Sequence, residues 1–193
     1  MTFVLGVLGS PRKGGNTDLL LDAALEGAKE GGAEVRKVVL SALNIHPCDA
    51  CGGCADGGGC VIADDMVLLY SLIDEADVII IASPVYFDGV SAQTKAFIDR
   101  GQLFWVRKYV LKRPGKKKRG AFLSVGARIR TDFACPEATV KAFLFTVNAE
   151  PGPTLAYAGF EERGSITDHP TALCDARSLG RELAAGAEGR NIL

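Results

Sequence analysis

The chain has 193 residues, 48% hydrophobic and 23% charged, which is the balance of a folded protein with a full core and excludes a disordered one. Twenty-two basic residues against twenty-three acidic ones leave a net charge of −1, so no overall field recruits nucleic acid or a membrane surface. No stretch approaches the ~18 apolar residues of a membrane helix, and the opening MTFVLGVLGSPRK lacks the basic start and cleavage site of a signal peptide; a cytoplasmic protein is expected.

Apolar runs alternate with helical stretches along one expected domain, residues 1–193. Residues 2–9 form a continuous apolar run closed by Gly9, Ser10 and Pro11. Residues 18–30 place Leu21, Leu25 and Ala28 on one helical face and stop at Gly31-Gly32. Residues 34–40 read as a second strand, and a cysteine-rich loop, residues 46–62, follows. Residues 64–75 read as a helix with Asp64 as N-cap. Residues 77–82, DVIIIA, are a third strand, and residues 91–107 a helix capped by Ser91. Residues 120–125 are a fourth strand, 137–147 a helix, 154–159 a fifth strand and 170–188 a closing helix. In that last helix Leu173, Ala176, Leu179, Gly180 and Leu183 form a stripe. Cys174 falls off it and is expected to be exposed or at a subunit contact.

Three of the strands read as near-continuous apolar runs. Such strands are buried on both faces, which means a parallel sheet covered by helices. The expected fold is therefore α/β: a doubly wound, flavodoxin-like, five-stranded parallel sheet in the order 2-1-3-4-5. The rival, a six-stranded dinucleotide fold, lacks its sixth strand. In an open sheet of this kind ligands sit beyond the carboxyl ends of the strands, at the switch point between strands one and three. That rule selects two loops, GSPRKGGNT and SPVYFDG.

The first loop fails two phosphate fingerprints. It ends Gly15-Asn16-Thr17, not Gly-Lys-Ser/Thr, and Gly9 is followed by Ser10, Pro11 and Arg12, not by G-x-G-x-x-G. What remains is hydroxyls on Ser10 and Thr17, the charged fork of Arg12, and free backbone N–H groups near residues 15–17, a set suited to a terminal monophosphate. The plainer reading is a turn capped by Asn16 or Thr17 with Arg12 in solvent. In the second loop Tyr86 and Phe87 stand at a strand end, where rings either stack on a flat ligand or cover the core edge. Together the two loops fit flavin mononucleotide.

Four of the six cysteines fall within residues 48–60, spaced C-x2-C-x2-C-x5-C. A cytosolic setting argues against a disulfide framework. Structural zinc prefers two C-x2-4-C knuckles on a longer arm, whereas three thiols at this pitch match the ferredoxin pattern. Spacing favours an iron–sulfur cluster and leaves zinc and a metal-free loop open. His46 reads as a loop histidine and His169 as the start of a helix. Cys135 is placed in a loop after strand four. The run KRPGKKKRG, residues 112–120, is a solvated connector or a docking patch for an acidic partner or the 2′-phosphate of NADPH. No Ser/His/Asp set or carboxylate pair marks acid–base catalysis, and no catalytic side chain is named.

The segments GSPRKGGNT, SPVYFDGVSAQTKAFIDR and CVIADDM resemble the iron–sulfur flavoprotein branch of the NADPH-dependent FMN reductase-like, flavodoxin-fold family. The likeness is close over residues 2–107 and looser over strand four and HPTALCDARSLG. It implies FMN, with the phosphate on Ser10, Arg12, Asn16 and Thr17 and the ring lined by Pro84, Val85, Tyr86 and Phe87; Gly15, Ser124 and Gly126 are counted with them. It implies a [4Fe–4S] cluster on Cys48, Cys51, Cys54 and Cys60, in an oxidoreductase or electron carrier with NAD(P)H as a donor and a ferredoxin-like redox partner. The alternative is an NAD(P)H-dependent FMN or quinone reductase without a cluster. It also implies a homodimer or homotetramer. Strand two lies outside strand one, so the loop after it is expected to cover a partner's flavin and not its own.

Overall fold

The computed structural model describes residues 1–186. In chain order its elements are β1 (Phe3–Leu8), α1 (Asn16–Glu30), β2 (Glu34–Val39), α2 (Met66–Glu75), β3 (Val78–Pro84), α3 (Ala92–Asp99), α4 (Gln102–Trp105), β4 (Lys118–Gly126), α5 (Ala134–Thr146), β5 (Ala149–Ala158) and α6 (Ala172–Ala185). The five strands pair in parallel in the order β2-β1-β3-β4-β5, as the apolar runs require.

Side chains alternate across the sheet. Val4, Leu8, Ile80 and Leu123 meet α1 and α6 on one face, while Leu5, Val7, Ile81 and Phe122 meet α2 to α5 on the other. Each such fully buried Val, Leu or Ile contributes about 1.5–3 kcal/mol. α1 and α6 touch backbone to backbone. A Cβ on Gly27 would lie 1.9 Å from Arg177 O, and one on Gly180 1.8 Å from Ala24 O. Among the described residues no helix is long and apolar enough to cross a membrane.

Several boundaries differ from the expected ones, each for a local reason. The helix expected over residues 91–107 tightens at Arg100 and Gly101, where a Cβ on Gly101 would stand 2.7 Å from Ile98 O. It resumes as α4 and widens into a π-type turn, Val106–Val110. β5 begins five residues before the expected strand, although Pro151, Gly152 and Pro153 read as breakers. It is one of the two outer strands and has an irregular register against β4 between Gly120 and Phe122, where prolines are tolerated. α5 begins at Ala134, so Cys135 is in its first turn and not in a loop; Pro136 there gives up only an N–H that first turns leave unbonded. Asp65, not Asp64, holds the N-cap position of α2, and Asp64 accepts the Met66 N–H at 3.0 Å. Ser91 caps α3 as expected. Cys174 is exposed. His169 accepts the Ala172 N–H at 3.1 Å and so starts α6. Residues 187 and 188 of the expected closing helix lie outside the described residues.

Candidate functional site

The end of β1 is locked to the start of α3. Ser91 Oγ accepts from the Thr94 N–H at 3.2 Å and donates to Gly9 O at 2.6 Å. A Cβ on Gly9 would lie 1.7 Å from the Thr94 hydroxyl, so only glycine lets these segments meet. The contact sets the two selected loops side by side.

Between them opens a cavity of about 160 Å³. Ser10, Arg12, Gly15, Asn16, Thr17, Pro84, Val85 and Tyr86 all line it, joined by Val125, Ala127, Phe160 and Glu161. A second cavity, about 390 Å³, shares Val85, Tyr86 and Ala127 and adds Phe87, Asp88, Arg128, Arg130 and Thr131. One is the size of a small anionic group, and the other that of a flat ring system. Ser10 Oγ accepts the Arg12 N–H at 3.2 Å, and Arg12 reaches Glu161 O at 3.5 Å, which holds its guanidinium at the rim. The first N–H groups of α1 have no intrahelical acceptors and remain for an anion. Gly15 holds the N-cap position and offers no side-chain cap, so neither Asn16 nor Thr17 caps the helix.

Asn16, which lines the cavity, also ties its walls together. Its amide donates to Phe160 O at 3.0 Å and Glu162 O at 2.8 Å, and its oxygen accepts the Ile166 N–H. The side chain thus staples the wall of residues 160–166 to α1. Asp18 accepts the Gly14 N–H at 2.7 Å and is paired with Lys37, fixing the loop from below. Ser124 and Gly126 stand behind the wall. Ser124 is buried and donates to Ser83 O at 2.9 Å; Gly126 O accepts the N–H groups of Gly159 and Phe160. Their neighbours Val125 and Ala127 face the cavity instead.

The aromatic loop closes as a tight turn, with Tyr86 N–H to Gly89 O at 2.9 Å and Gly89 N–H to Tyr86 O at 3.0 Å. Phe87 (φ 50°) and Asp88 (φ 58°) both take left-handed backbone, which is costly for a bulky residue. Phe87 is fully exposed. The strained turn displays an apolar ring to solvent at the mouth of the second cavity.

The four clustered cysteines line one further cavity of about 410 Å³, walled by Tyr70 of α2 and by Arg100, Leu103 and Val106. Among the described residues no three His, Cys, Asp or Glu side chains converge on a single metal ion; the thiols ring a space instead. Burial pushes the Cys54 thiol up, its own backbone N–H pulls it down, and Cys60, Cys48 and Cys51 push it up again, so the net shift is upward. Four thiolates here need positive charge between them and beside them. Arg100 gives part of it. Only 1% exposed, it donates to Cys60 Sγ at 3.4 Å and is paired with Asp64 at 2.5 Å. Tyr70 donates to Arg100 O at 3.1 Å, and burial pushes its pKa up to about 12. The donor set, the open cavity it lines and the buried cation beside it fit a polynuclear iron–sulfur group. His46, Cys135 and Cys174 line none of these cavities.

Sequence reasoning missed Arg100, Tyr70, Phe160 and Arg128. Arg100 closes the run AFIDR and lies three residues after Phe97 and four before Phe104, the spacing of one buried helical face. Phe160 follows the expected end of the fifth strand by one residue, at the same sheet edge as the selected loops.

The sequence model described as NADPH-dependent FMN reductase matches residues 2–160. The chain is 33% identical over 188 residues to an iron–sulfur flavoprotein of Methanocaldococcus jannaschii, a match covering 94% of this chain and 95% of that one. It is 46% identical over 123 residues to an iron–sulfur flavoprotein of Methanosarcina thermophila; that match covers 64% of this chain but only 62% of its relative. In fold, the NAD(P)H:quinone oxidoreductase from Methanothermobacter marburgensis superposes with a TM-score of 0.73 at 17% identity, over 94% of each chain. From the match over residues 2–160 and the relative aligned over 188 residues, the chain belongs to the NADPH-dependent FMN reductase family of flavin oxidoreductases.

Proposed function

We propose that the protein is an electron-transfer flavoprotein holding FMN at the β1–β3 switch point and a [4Fe–4S] cluster on Cys48, Cys51, Cys54 and Cys60. The observation that carries this reading is the coexistence of two built sites: four thiols around one cavity beside a buried arginine, and an anion-suited loop with a strained aromatic loop at the sheet edge. Two relatives named iron–sulfur flavoprotein support both groups. When bound, FMN exchanges electrons in pairs or singly and the cluster one at a time, so the two join two-electron to one-electron chemistry.

The chain's own residues bind and orient. Ser10, Arg12 and the first turn of α1 would hold the FMN phosphate, with Asn16 fixing the neighbouring wall of residues 160–166. Val85 and Tyr86 line both cavities and would orient the ring of a bound FMN. Arg128 and Arg130 bring two cationic forks to the ring cavity, which supports NAD(P)H, a phosphate-bearing donor, as the electron source. Four clustered cysteines proposed as cluster ligands suit a reducing compartment, and we place the protein in the cytoplasm.

Freshly purified anaerobic protein is expected to show flavin absorption bands over a broad iron–sulfur absorption. Flavin bands alone would leave a flavin reductase without a cluster, and absence of both would overturn the proposal. Arg12→Ala removes a charge-assisted bond worth about 1.5–3 kcal/mol, so FMN binding should weaken about ten- to a hundredfold. A titration of apoprotein with unchanged affinity would take Arg12 out of the site.

The protein is also proposed to be a homodimer or homotetramer. Leu68 on α2 is 58% exposed, and Trp105, Tyr109 and Val110 beside the cysteine cavity are similarly uncovered. The flavin cavities and the cysteine cavity share no lining residue, which supports a partner's loop covering each flavin. The exposed Lys112, Arg113 and Lys117 are proposed to dock an acidic, ferredoxin-like redox partner. Light scattering should give at least twice the chain mass. A monomer with full FMN affinity and full electron transfer between the groups would refute the shared pocket.

A further inference from the structure

Arg100 is the largest fully buried side chain, and its five N–H groups are unevenly used. Nη1 donates to His46 O at 2.9 Å and to Asp64 Oδ2 at 2.5 Å. Nη2 donates to Asp64 Oδ1 at 3.1 Å, Ile62 O at 3.3 Å and Cys60 Sγ at 3.4 Å. These bonds tie both ends of the cysteine loop to the end of α3. Nε has no partner. Among the described residues it is the one buried side-chain nitrogen or oxygen that lacks one.

A brace for the loop does not need that fifth hydrogen. Buried N–H groups are nearly always bonded, because an unbonded one carries its full desolvation penalty. Nor is a buried ion pair a good source of stability, since apolar residues of similar volume serve as well or better. The uncommitted hydrogen belongs to a side chain that lines the cysteine cavity and already touches one of its thiols. The polar groups beside it in that cavity are the Cys60 thiol, which the guanidinium already bonds, and the Tyr70 hydroxyl.

We propose that Arg100 is a positioning residue for the iron–sulfur site: it holds Cys60 as an N–H···S acceptor, keeps a buried positive charge beside the thiols, and would raise the reduction potential of a cluster held there. The inference rests on the reading that Cys60 is a ligand. Hydrogen bonds and positive charge at the sulfurs stabilise the reduced, more negative form, so their removal lowers the potential. Asp64 orients the fork and also accepts the His46 N–H at 2.8 Å, so loop shape and cluster charge are governed by one ion pair.

The test uses the whole chain reconstituted anaerobically with FMN, iron and sulfide, followed by a redox titration of the cluster signal. Three proteins are compared: wild type, the neutral pair Asp64→Asn/Arg100→Gln, and Arg100→Lys. The neutral pair should keep its iron and shift the redox equilibrium at least tenfold toward the oxidised form, about 59 mV for a one-electron couple. Arg100→Lys, which keeps the charge, should shift it less. Iron lost from the neutral pair but kept by Arg100→Lys would equally support the assignment, because the charge is then what the cluster needs. An unchanged potential in the neutral pair with iron retained would overturn it, as would equal loss of iron from both variants, since Arg100 would then only brace the loop. A wild-type protein that takes up no iron would remove the cluster reading itself, an outcome the variants are not needed to see.

Discussion

Replacing any one of Cys48, Cys51, Cys54 or Cys60 with alanine is expected to abolish the cluster, with iron and acid-labile sulfide falling together while FMN stays bound. The two effects separate because the thiols and the FMN contacts line different cavities with no residue in common. Alanine leaves three thiols lining the cavity, and no other described cysteine lines it. Cys60 is the most informative position, since it follows the other three after a five-residue gap and takes the Arg100 bond. Iron and sulfide analysis of Cys60→Ala with undiminished content would require a different fourth ligand. Parallel loss of FMN would show that the loop also shapes the flavin site.

Asp64→Ala is expected to destabilise the fold by about 3–5 kcal/mol, because it leaves the Arg100 guanidinium buried without its counter-charge. The carboxylate is 4% exposed, so water does not replace it without opening the loop. Burial pushes the Asp64 carboxyl up, but the Arg100 bond and the His46 and Met66 N–H groups outweigh it and hold it below the ordinary carboxylate value. The stabilisation is therefore complete above that ordinary value and fades as pH falls through the lower folded one. Denaturant titrations should show a large gap between wild type and Asp64→Ala at neutral pH that narrows in acid. A gap below ~1 kcal/mol at neutral pH would mean that the loop opens and solvates the guanidinium.

The sheet order was legible because VLGVL, VIIIA and AFLSV are apolar on both faces, and only a helix-covered parallel sheet buries such strands. The two flavin loops were legible for a topological reason: the switch point names the loops before any side chain is considered. The site's rear wall was not. Val125 belongs to strand four and Phe160 and Glu161 follow strand five, and the switch-point rule is silent on them. The second role of Asn16, tying α1 to residues 160–166, was not legible because those partners lie about 150 residues away in sequence and no local pattern reports them. Arg100 was hidden in the same way. A charged residue at a helix end reads as solvated unless its counter-charge, here Asp64 on a distant loop, is known to be folded over it.

The two outer strands have a consequence for how copies of the chain meet. β5 carries Pro151 and Pro153, which present no N–H, and its register against β4 slips there. β2 points the exposed charges of Glu34 and Arg36 along the opposite margin. Neither margin is a good template for adding a strand. Growth by sheet extension is thus blocked at both sides of the molecule, and self-association is diverted to helices and loops. Fibrillar, edge-to-edge aggregation is disfavoured by the same two devices, which leaves the apolar surface around the cysteine loop free to stay uncovered in the separated chain without seeding a continuous sheet.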